Sequence, residues 1–287
     1  MSASSDVSKE LRTLTHRLTA AGRGEARLKA ELLMAHVLGQ SRLEMLAGVD
    51  RMPSAEQAAR LDALAGRVAA GEPLQYVLGE AWFWGRRFKA DSRALIPRPE
   101  TEELVQRVLD DAGLWRRERP VVADVGVGTG CLTLTLAAER PQAHLIGVDL
   151  HAGPLALARE NEVALGMAGR VEWRQADLLD GQPAGSLDAV VSNPPYIATA
   201  VISTLAEEVR AHEPRSALDG GPDGLDLIRR LIAQAKLALR PGGKVWMEIG
   251  DEQGDAVREL LIRSGWIGVE LRRDLAGQNR MVEGQRA

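Results

Sequence analysis

Hydrophobic and polar positions follow two different rhythms along this chain of 287 residues. Up to about residue 75 the apolar positions recur at helical spacing. In EARLKAELLMAHVLG, Leu28, Leu32, Leu33 and Ala35 fall near one face and Gly39 offers a stop, and a second amphipathic helix is expected in SAEQAARLDALAGRVAAG, opened by Pro53-Ser54 and closed by Gly71. From residue 120 the rhythm changes. PVVADVGVGTG reads as a strand and glycine turn, CLTLTLAAER as a helix, AHLIGVDL as a strand and GPLALARENEVALG as a helix. RVEWRQADLL and LDAVVSN follow as strands, then the long helix GLDLIRRLIAQAKLALRPGG and the strand KVWMEIG. Such alternation predicts an α/β fold, a doubly wound and mostly parallel sheet wrapped by helices on both faces.

Between the two regions, Tyr76, Trp82, Phe83, Trp84 and Phe88 place five of the chain's ten aromatic residues within thirteen positions. The stretch WFWGRRFKA, with Gly85 inside it, predicts a short hairpin, and its aromatics fit a hydrophobic patch between domains. IPRPETEELV then reads as a proline-stiffened loop entering a helix with acids in its first turn.

Composition narrows the class. With 45% hydrophobic and 26% charged residues the chain is an ordinary globular one. It holds no apolar run of ~18 residues, and its start, MSASSDVSKELRTL, lacks the apolar core of a signal peptide, so a cytoplasmic protein is expected, without a membrane partner. Cys131 is the only cysteine, which excludes an internal disulfide and a cysteine-cluster metal site; no metal is expected. The net charge of −4 divides into +3 up to residue 90 (13 basic against 10 acidic residues) and −7 beyond it (23 against 30). Solvated surface accounts for that difference, and the balance does not fit a nucleic-acid binder. Arginine-rich, lysine-poor usage points to a bacterial source.

In a doubly wound sheet, ligands sit outside the carboxyl ends of the strands. The residues with chemical potential fall there: Gly126, Gly128 and Gly130 after the first strand, Asp149 at the end of the second, Asp177 at the end of the third, and Asn193 after the fourth. A glycine loop with a strand-end acid suits a nicotinamide enzyme as well, although the third small residue of the dinucleotide fingerprint would fall on Cys131. Either acid alone also reads as a helix cap. The stretch DAVVSNPPYIAT adds something the dinucleotide reading does not use, a polar amide and an aromatic ring on a loop stiffened by Pro194 and Pro195. If the ligand is S-adenosylmethionine, the attacking group must be aimed at its methyl. A conjugated amino nitrogen is a poor nucleophile; acceptors on the Asn193 side chain and the Pro194 carbonyl would take its two hydrogens and aim its lone pair, while Tyr196 packs on the planar group.

With PLQYVLG, LIPRPETEELV, DVGVGTG, NPPYI, ALDGGPDGLD and EIGDEQG in order along nearly the whole chain, the sequence resembles the HemK/PrmC family. That resemblance implies a methyltransferase using S-adenosyl-L-methionine, leaving S-adenosyl-L-homocysteine, and modifying the glutamine of the Gly-Gly-Gln motif in peptide chain release factors. It implies an N-terminal helical substrate-binding domain (1–75), a hairpin linker (76–97) and a seven-stranded class I, Rossmann-like methyltransferase domain (98–287). It further implies that Gly126, Val127, Gly128, Thr129 and Gly130 face the methionine part of the cofactor, that Asp149 binds the ribose, that Asp177 and Leu178 flank the adenine, and that Asn193 touches the cofactor as well. Asn193, Pro194, Pro195 and Tyr196 would hold the glutamine and carry catalysis, with Arg98 to Thr101 closing over the site. Two departures stand out: Val127 occupies a position usually small and polar, and His151 one where serine is common; His151 reads as a surface residue at a helix start, with a catalytic base as the alternative. The rivals are an amino-methyltransferase acting on adenine or guanine of DNA or RNA, which the acidic balance opposes, and a cofactor-binding module without activity, which Asn193 opposes.

Overall fold

The computed structural model describes residues 3–47 and 53–287, which form two compact units. One runs to Glu80 and takes in Ala206–His212; the other comprises Ala81–Leu205 and Glu213–Ala287.

The first unit is helical: α1 (Ala3–Ala20), α2 (Ala26–Leu38), α3 (Arg42–Leu46), α4 (Ala55–Ala69) and α5 (Leu74–Leu78). Its core includes Leu18, Leu33, Met34 and Ala65. The stripe expected on α2 is absent, because α2 packs against α1, α3, α4 and α5 and so buries Ala30, Glu31, Leu33, Met34, Ala35, Val37 and Leu38. Glu31 tolerates that position because Arg27 and Arg42 meet it at 2.9 and 2.7 Å. Gly39 ends α2 in the left-handed conformation, and Ser54 opens α4 with a capping box to Gln57.

The second unit begins with a hairpin, β1 (Glu80–Phe83) and β2 (Arg86–Lys89). Trp84 and Gly85 both have positive φ, as a tight two-residue hairpin turn requires. The crowded aromatics divide among environments instead of forming one patch. Phe83 and Phe88 meet edge to face at 6.2 Å inside the core of this unit, Tyr76 is buried on α5, and Trp82 is 66% exposed. The chain continues through α6 (Pro99–Leu109), α7 (Ala112–Trp115), β3 (Val121–Val125), α8 (Cys131–Glu139), β4 (His144–Asp149), α9 (Ala152–Ala164), β5 (Val171–Gln175) and β6 (Leu187–Ser192). After α10 (Glu207–His212), which belongs to the helical unit, come α11 (Asp226–Ala238), β7 (Leu239–Glu248), α12 (Gly254–Arg263), β8 (Trp266–Arg273) and β9 (Asn279–Arg286). In the helical unit α10 is paired through Glu207 to Arg23 at 2.9 Å and through Glu208 to Lys29 at 3.2 Å.

The seven strands lie in the order β5-β4-β3-β6-β7-β9-β8, and β9 alone runs against the others. This is the class I methyltransferase arrangement, mixed by a single antiparallel strand. The inner strands are covered on both faces, and β6 is buried at every position. Two boundaries differ from the sequence reading. The long helix stops at Ala238 and Leu239 to Gly243 join β7, since Pro241 cannot continue a helix; β5 ends at Gln175, so Asp177 stands two residues beyond its strand. No helix among the described residues is long and apolar enough to cross a membrane.

Asn161 on α9, fully buried, joins the hairpin to the glycine loop. Its Oδ1 accepts from Lys89 N at 2.6 Å, and its Nδ2 donates to the carbonyls of Thr129 at 2.9 Å and Lys89 at 3.2 Å. Asn161→Ala strips partners from three backbone groups and is expected to lower stability by about 1–3 kcal/mol. The urea midpoint of the purified variant checks this, and an unchanged midpoint would show the contact to be dispensable.

Candidate active site

β3 sits where the strand order reverses, with β4 and β5 on one side and β6 on the other, so the loops leaving β3 and β6 diverge and open a crevice. Ser192, the last residue of β6, donates to the carbonyl of Val125, the last residue of β3, at 2.6 Å and holds the mouth of the crevice together. A pocket opens there, lined by the 93–98 loop, Thr101, the glycine loop, Asp149 to His151, Ala176 to Leu178, Asn193 and Pro195.

Gly126, Gly128 and Gly130 all take positive φ (82°, 53° and 79°). A side chain on Gly126 would meet nothing nearer than the Asn193 carbonyl at 3.9 Å, so this part of the loop leaves room for a ligand. Gly130 is different, because a Cβ there would stand 2.9 Å from the Cβ of Ala158 on α9. Val127 turns its side chain away, into Leu155, Ala158 and Trp173; the apolar residue at this position is thereby explained. Thr129 is buried within the same turn.

Asp149 ends β4 with one oxygen accepting from His151 N at 2.9 Å and the other from Gly128 N at 3.4 Å. Burial raises its pKa, against those two N–H groups, and its remaining lone pairs are free for hydroxyl donors. His151 stands exposed at the start of α9. Asp177 is paired with Arg230 at 2.7 Å, and Leu178 adopts φ 55°, a conformation rare for a residue with a branched side chain. Arg98 meets the buried Glu213 at 2.5 Å, and Glu213 also accepts from Ile96 N at 3.2 Å, so this ion pair fastens the 96–98 loop beside the pocket.

Asn193 follows β6 directly and donates from Nδ2 to Thr101 Oγ1 at 3.0 Å. Pro194 is buried; Pro195 and Tyr196 are half-buried. The backbone beyond them is clamped by the ALDGGPDGLD segment, with Ile197 N on Leu218 O at 3.0 Å and Gly220 N on Ile197 O at 2.8 Å. Gly224 must be glycine, because a Cβ there would stand 2.2 Å from the Tyr196 carbonyl, which also accepts from Gln253 Nε2 at 2.8 Å. The Tyr196 hydroxyl donates to Glu248 at 3.2 Å, and burial raises its pKa, so the phenol stays protonated.

The crevice thus gathers the glycine loop, Asp149, Asp177, Leu178, Asn193, Pro195, Arg98 and Thr101, whereas Pro194 and Tyr196 do not line it. It also holds groups the sequence reading did not single out. Glu248, last in β7 and 1% exposed, accepts from both Thr101 and Tyr196, and burial raises its pKa. Asp124, equally buried on β3, accepts from the Thr133 hydroxyl. The signal for both was an acid within an otherwise apolar strand run. Cys131 lies beside the loop with its thiol pushed up to about 12 by burial, which removes it as a nucleophile.

Known proteins resemble this chain along its length. A family model for the PrmC N-terminal domain matches residues 10–79, and one for the methyltransferase small domain matches residues 101–223. A release factor glutamine methyltransferase of Cereibacter sphaeroides is 42% identical over 272 residues, 95% of each chain. Proteins of the same name from Caulobacter vibrioides and Deinococcus radiodurans are 40% and 43% identical, covering 93% and 95% of this chain and 92% and 96% of their own. Among solved structures, a methyltransferase from Pyrococcus furiosus (TM-score 0.52, 16% identity, 82% of this chain and 100% of that one) and the hMettl16 catalytic domain (0.56, 14%, 81% and 82%) share the fold.

Burial lifts the Asp124 carboxyl from its ordinary 3.8 to about 7. The folded state therefore favours the protonated form, and the stability tied to it is full below about pH 4 and is lost as pH rises toward 7. Asp124→Asn removes this titration. The variant should gain on wild type between pH 5 and pH 8, by at most about 1.4 kcal/mol per pH unit within that window. Urea midpoints of ligand-free protein at the two pH values check it; a constant difference would mean that Asp124 is ionised throughout.

Proposed function

This chain belongs to the release factor glutamine methyltransferase family, and from that premise we propose how its crevice performs the reaction. The enzyme transfers a methyl group from S-adenosyl-L-methionine to the side-chain amide nitrogen of a release factor glutamine, in the Gly-Gly-Gln motif. S-adenosylmethionine supplies a methyl already activated by its sulfonium, so no acid or metal need activate the donor. The protein's task is to bind, orient and exclude water.

The observation that carries this reading is the adjacency of two loops. The open side of the glycine loop at Gly126 faces the Asn193 carbonyl at the strand-order reversal, so a donor held by one loop adjoins an acceptor held by the other. Gly126 to Gly130 leave space for the methionine end, the free lone pairs of Asp149 suit ribose hydroxyls, and Asp177 and Leu178 flank the adenine. The glutamine amide enters between the Asn193 side chain, the Pro194 carbonyl and the Tyr196 ring. Its nitrogen lone pair is delocalised in the ground state; acceptors for both N–H hydrogens pull it out of conjugation and steer it toward the methyl. As the N–C bond forms the C–S bond breaks, its electron pair stays on sulfur in the departing S-adenosyl-L-homocysteine, and the nitrogen gives up one proton to solvent. Arg98 to Thr101 close over this chemistry, and the helical unit supplies a second hold on the release factor.

Incubation with labelled S-adenosylmethionine and a purified release factor, followed by peptide mass analysis, tests the assignment. Methyl on the Gly-Gly-Gln glutamine supports it, and uptake by DNA or ribosomal RNA instead would replace it.

Asn193→Ala should cost about 3 kcal/mol of transition-state stabilisation, roughly a hundredfold in kcat, with the fold intact. Turnover within twofold of wild type would remove Asn193 from the mechanism. Asp149→Ala should weaken S-adenosylmethionine by about 1.5–3 kcal/mol, the range for bonds to a charged acceptor. Calorimetry reads this directly, and an unchanged affinity would assign the ribose to another group.

A further inference from the structure

A carboxamide is nearly symmetric in shape and opposite in polarity at its two ends, one oxygen that accepts and one nitrogen that donates. An asparagine that must accept from a substrate amide is useful in only one of its two orientations. In the other it presents N–H to N–H. The loop geometry of Asn193 does not distinguish them, since both occupy the same volume.

The neighbours do. Thr101, in the first turn of α6 and 4% exposed, donates its single hydroxyl proton to Glu248 Oε2 at 2.7 Å. That leaves the threonine oxygen only lone pairs to offer. The Asn193 atom facing it, at 3.0 Å, must therefore be the donor Nδ2, and Oδ1 is turned to the other side of the amide. Glu248 sets the direction from the far side, as the acceptor of that hydroxyl proton. Its second oxygen takes the Tyr196 hydroxyl at 3.2 Å, so one side chain fixes both ends of the Asn193–Tyr196 loop. Arg280 on β9 opposes the burial that raises the pKa of both Glu248 and Tyr196.

The geometry points to Thr101 and Glu248 as positioning residues that set which end of the Asn193 amide meets the substrate glutamine. Neither touches the reacting atoms. They act through Asn193, on a relay that runs from the end of β7 through the start of α6 to the end of β6. The inference rests on the role proposed above for Asn193 as an acceptor.

A double-mutant cycle with kinetics on intact release factor separates the two ideas. Thr101→Val removes the hydroxyl with little change of shape and should lower kcat about tenfold or more, while the Kd for S-adenosylmethionine measured by calorimetry stays within about threefold. Thr101→Ser should restore kcat to within about threefold of wild type. In an Asn193→Ala background, Thr101→Val should have no further effect beyond about twofold, because the residue it acts through is gone. Glu248→Gln keeps the size and offers its own NH2 to Thr101, so it should lower kcat severalfold; without Asn193 it should keep only the smaller part that acts through Tyr196. If Asn193→Ala alone is nearly wild type, the acceptor reading fails. If Asn193→Ala is impaired while Thr101→Val and Glu248→Gln are not, or if the effects multiply in the double variants, that reading stands and the positioning relay is wrong. Thermal melting identifies any variant that does not fold, and the cycle through the other relay residue then decides.

Discussion

The reversal of strand order between β3 and β6 is the constraint around which the rest is arranged. A parallel sheet brings the carboxyl ends of its strands to one edge, and where successive crossovers depart in opposite directions no helix can cover the gap. The chain meets this gap with glycines on one side, prolines on the other and a serine hydroxyl bridging them. Flexible residues allow close approach there and stiff residues keep an amide in place, so the opening has one yielding wall and one rigid wall.

Around the opening, carboxylates stand where apolar side chains would be more stable. Asp124, Asp149 and Glu248 lie at or next to the ends of β3, β4 and β7, and burial raises the pKa of each. Desolvating an ionised carboxyl costs several kcal/mol unless donors surround it, and here the donors are hydroxyls and backbone N–H groups, with no directly bonded cation at Asp124 or Asp149. Such groups weaken the fold and are concentrated on the one edge where chemistry takes place.

Much of this was legible in the residues. The alternation of strands and helices gave the parallel core because inner strands such as β6 are apolar on both faces, and the glycine loop, Asp149 and NPPY announced themselves by sitting at strand ends. The last two strands were not legible from pattern. β9 buries Glu283, which holds Arg107 at 2.6 Å and the Trp246 indole at 2.7 Å, so a buried strand carries a charge in its middle; β8 lies at the sheet edge and is largely exposed. The amphipathic reading of α2 failed for a related reason, since Glu31 marks a polar face in sequence and a paired interior in space. Asn161 escaped notice, and Thr101 stood out only as the end of a closing segment, because a hydroxyl or an amide shows its value only through partners distant in the chain, 147 residues away for Thr101 and Glu248.

The helix α10 also bears on the order in which the protein is made. The helical unit counts Ala206–His212 among its members, yet that segment follows β6 and most of the sheet core in sequence. In a chain synthesised from its N-terminus, Arg23 and Lys29 are produced early and wait for Glu207 and Glu208 until more than two thirds of the polypeptide exists. The helical unit can therefore gain α10 only after β6 has been made. Those two pairs tie the earliest helices to the stretch of chain that comes just after the Asn193 loop, so they close only once that stretch has emerged.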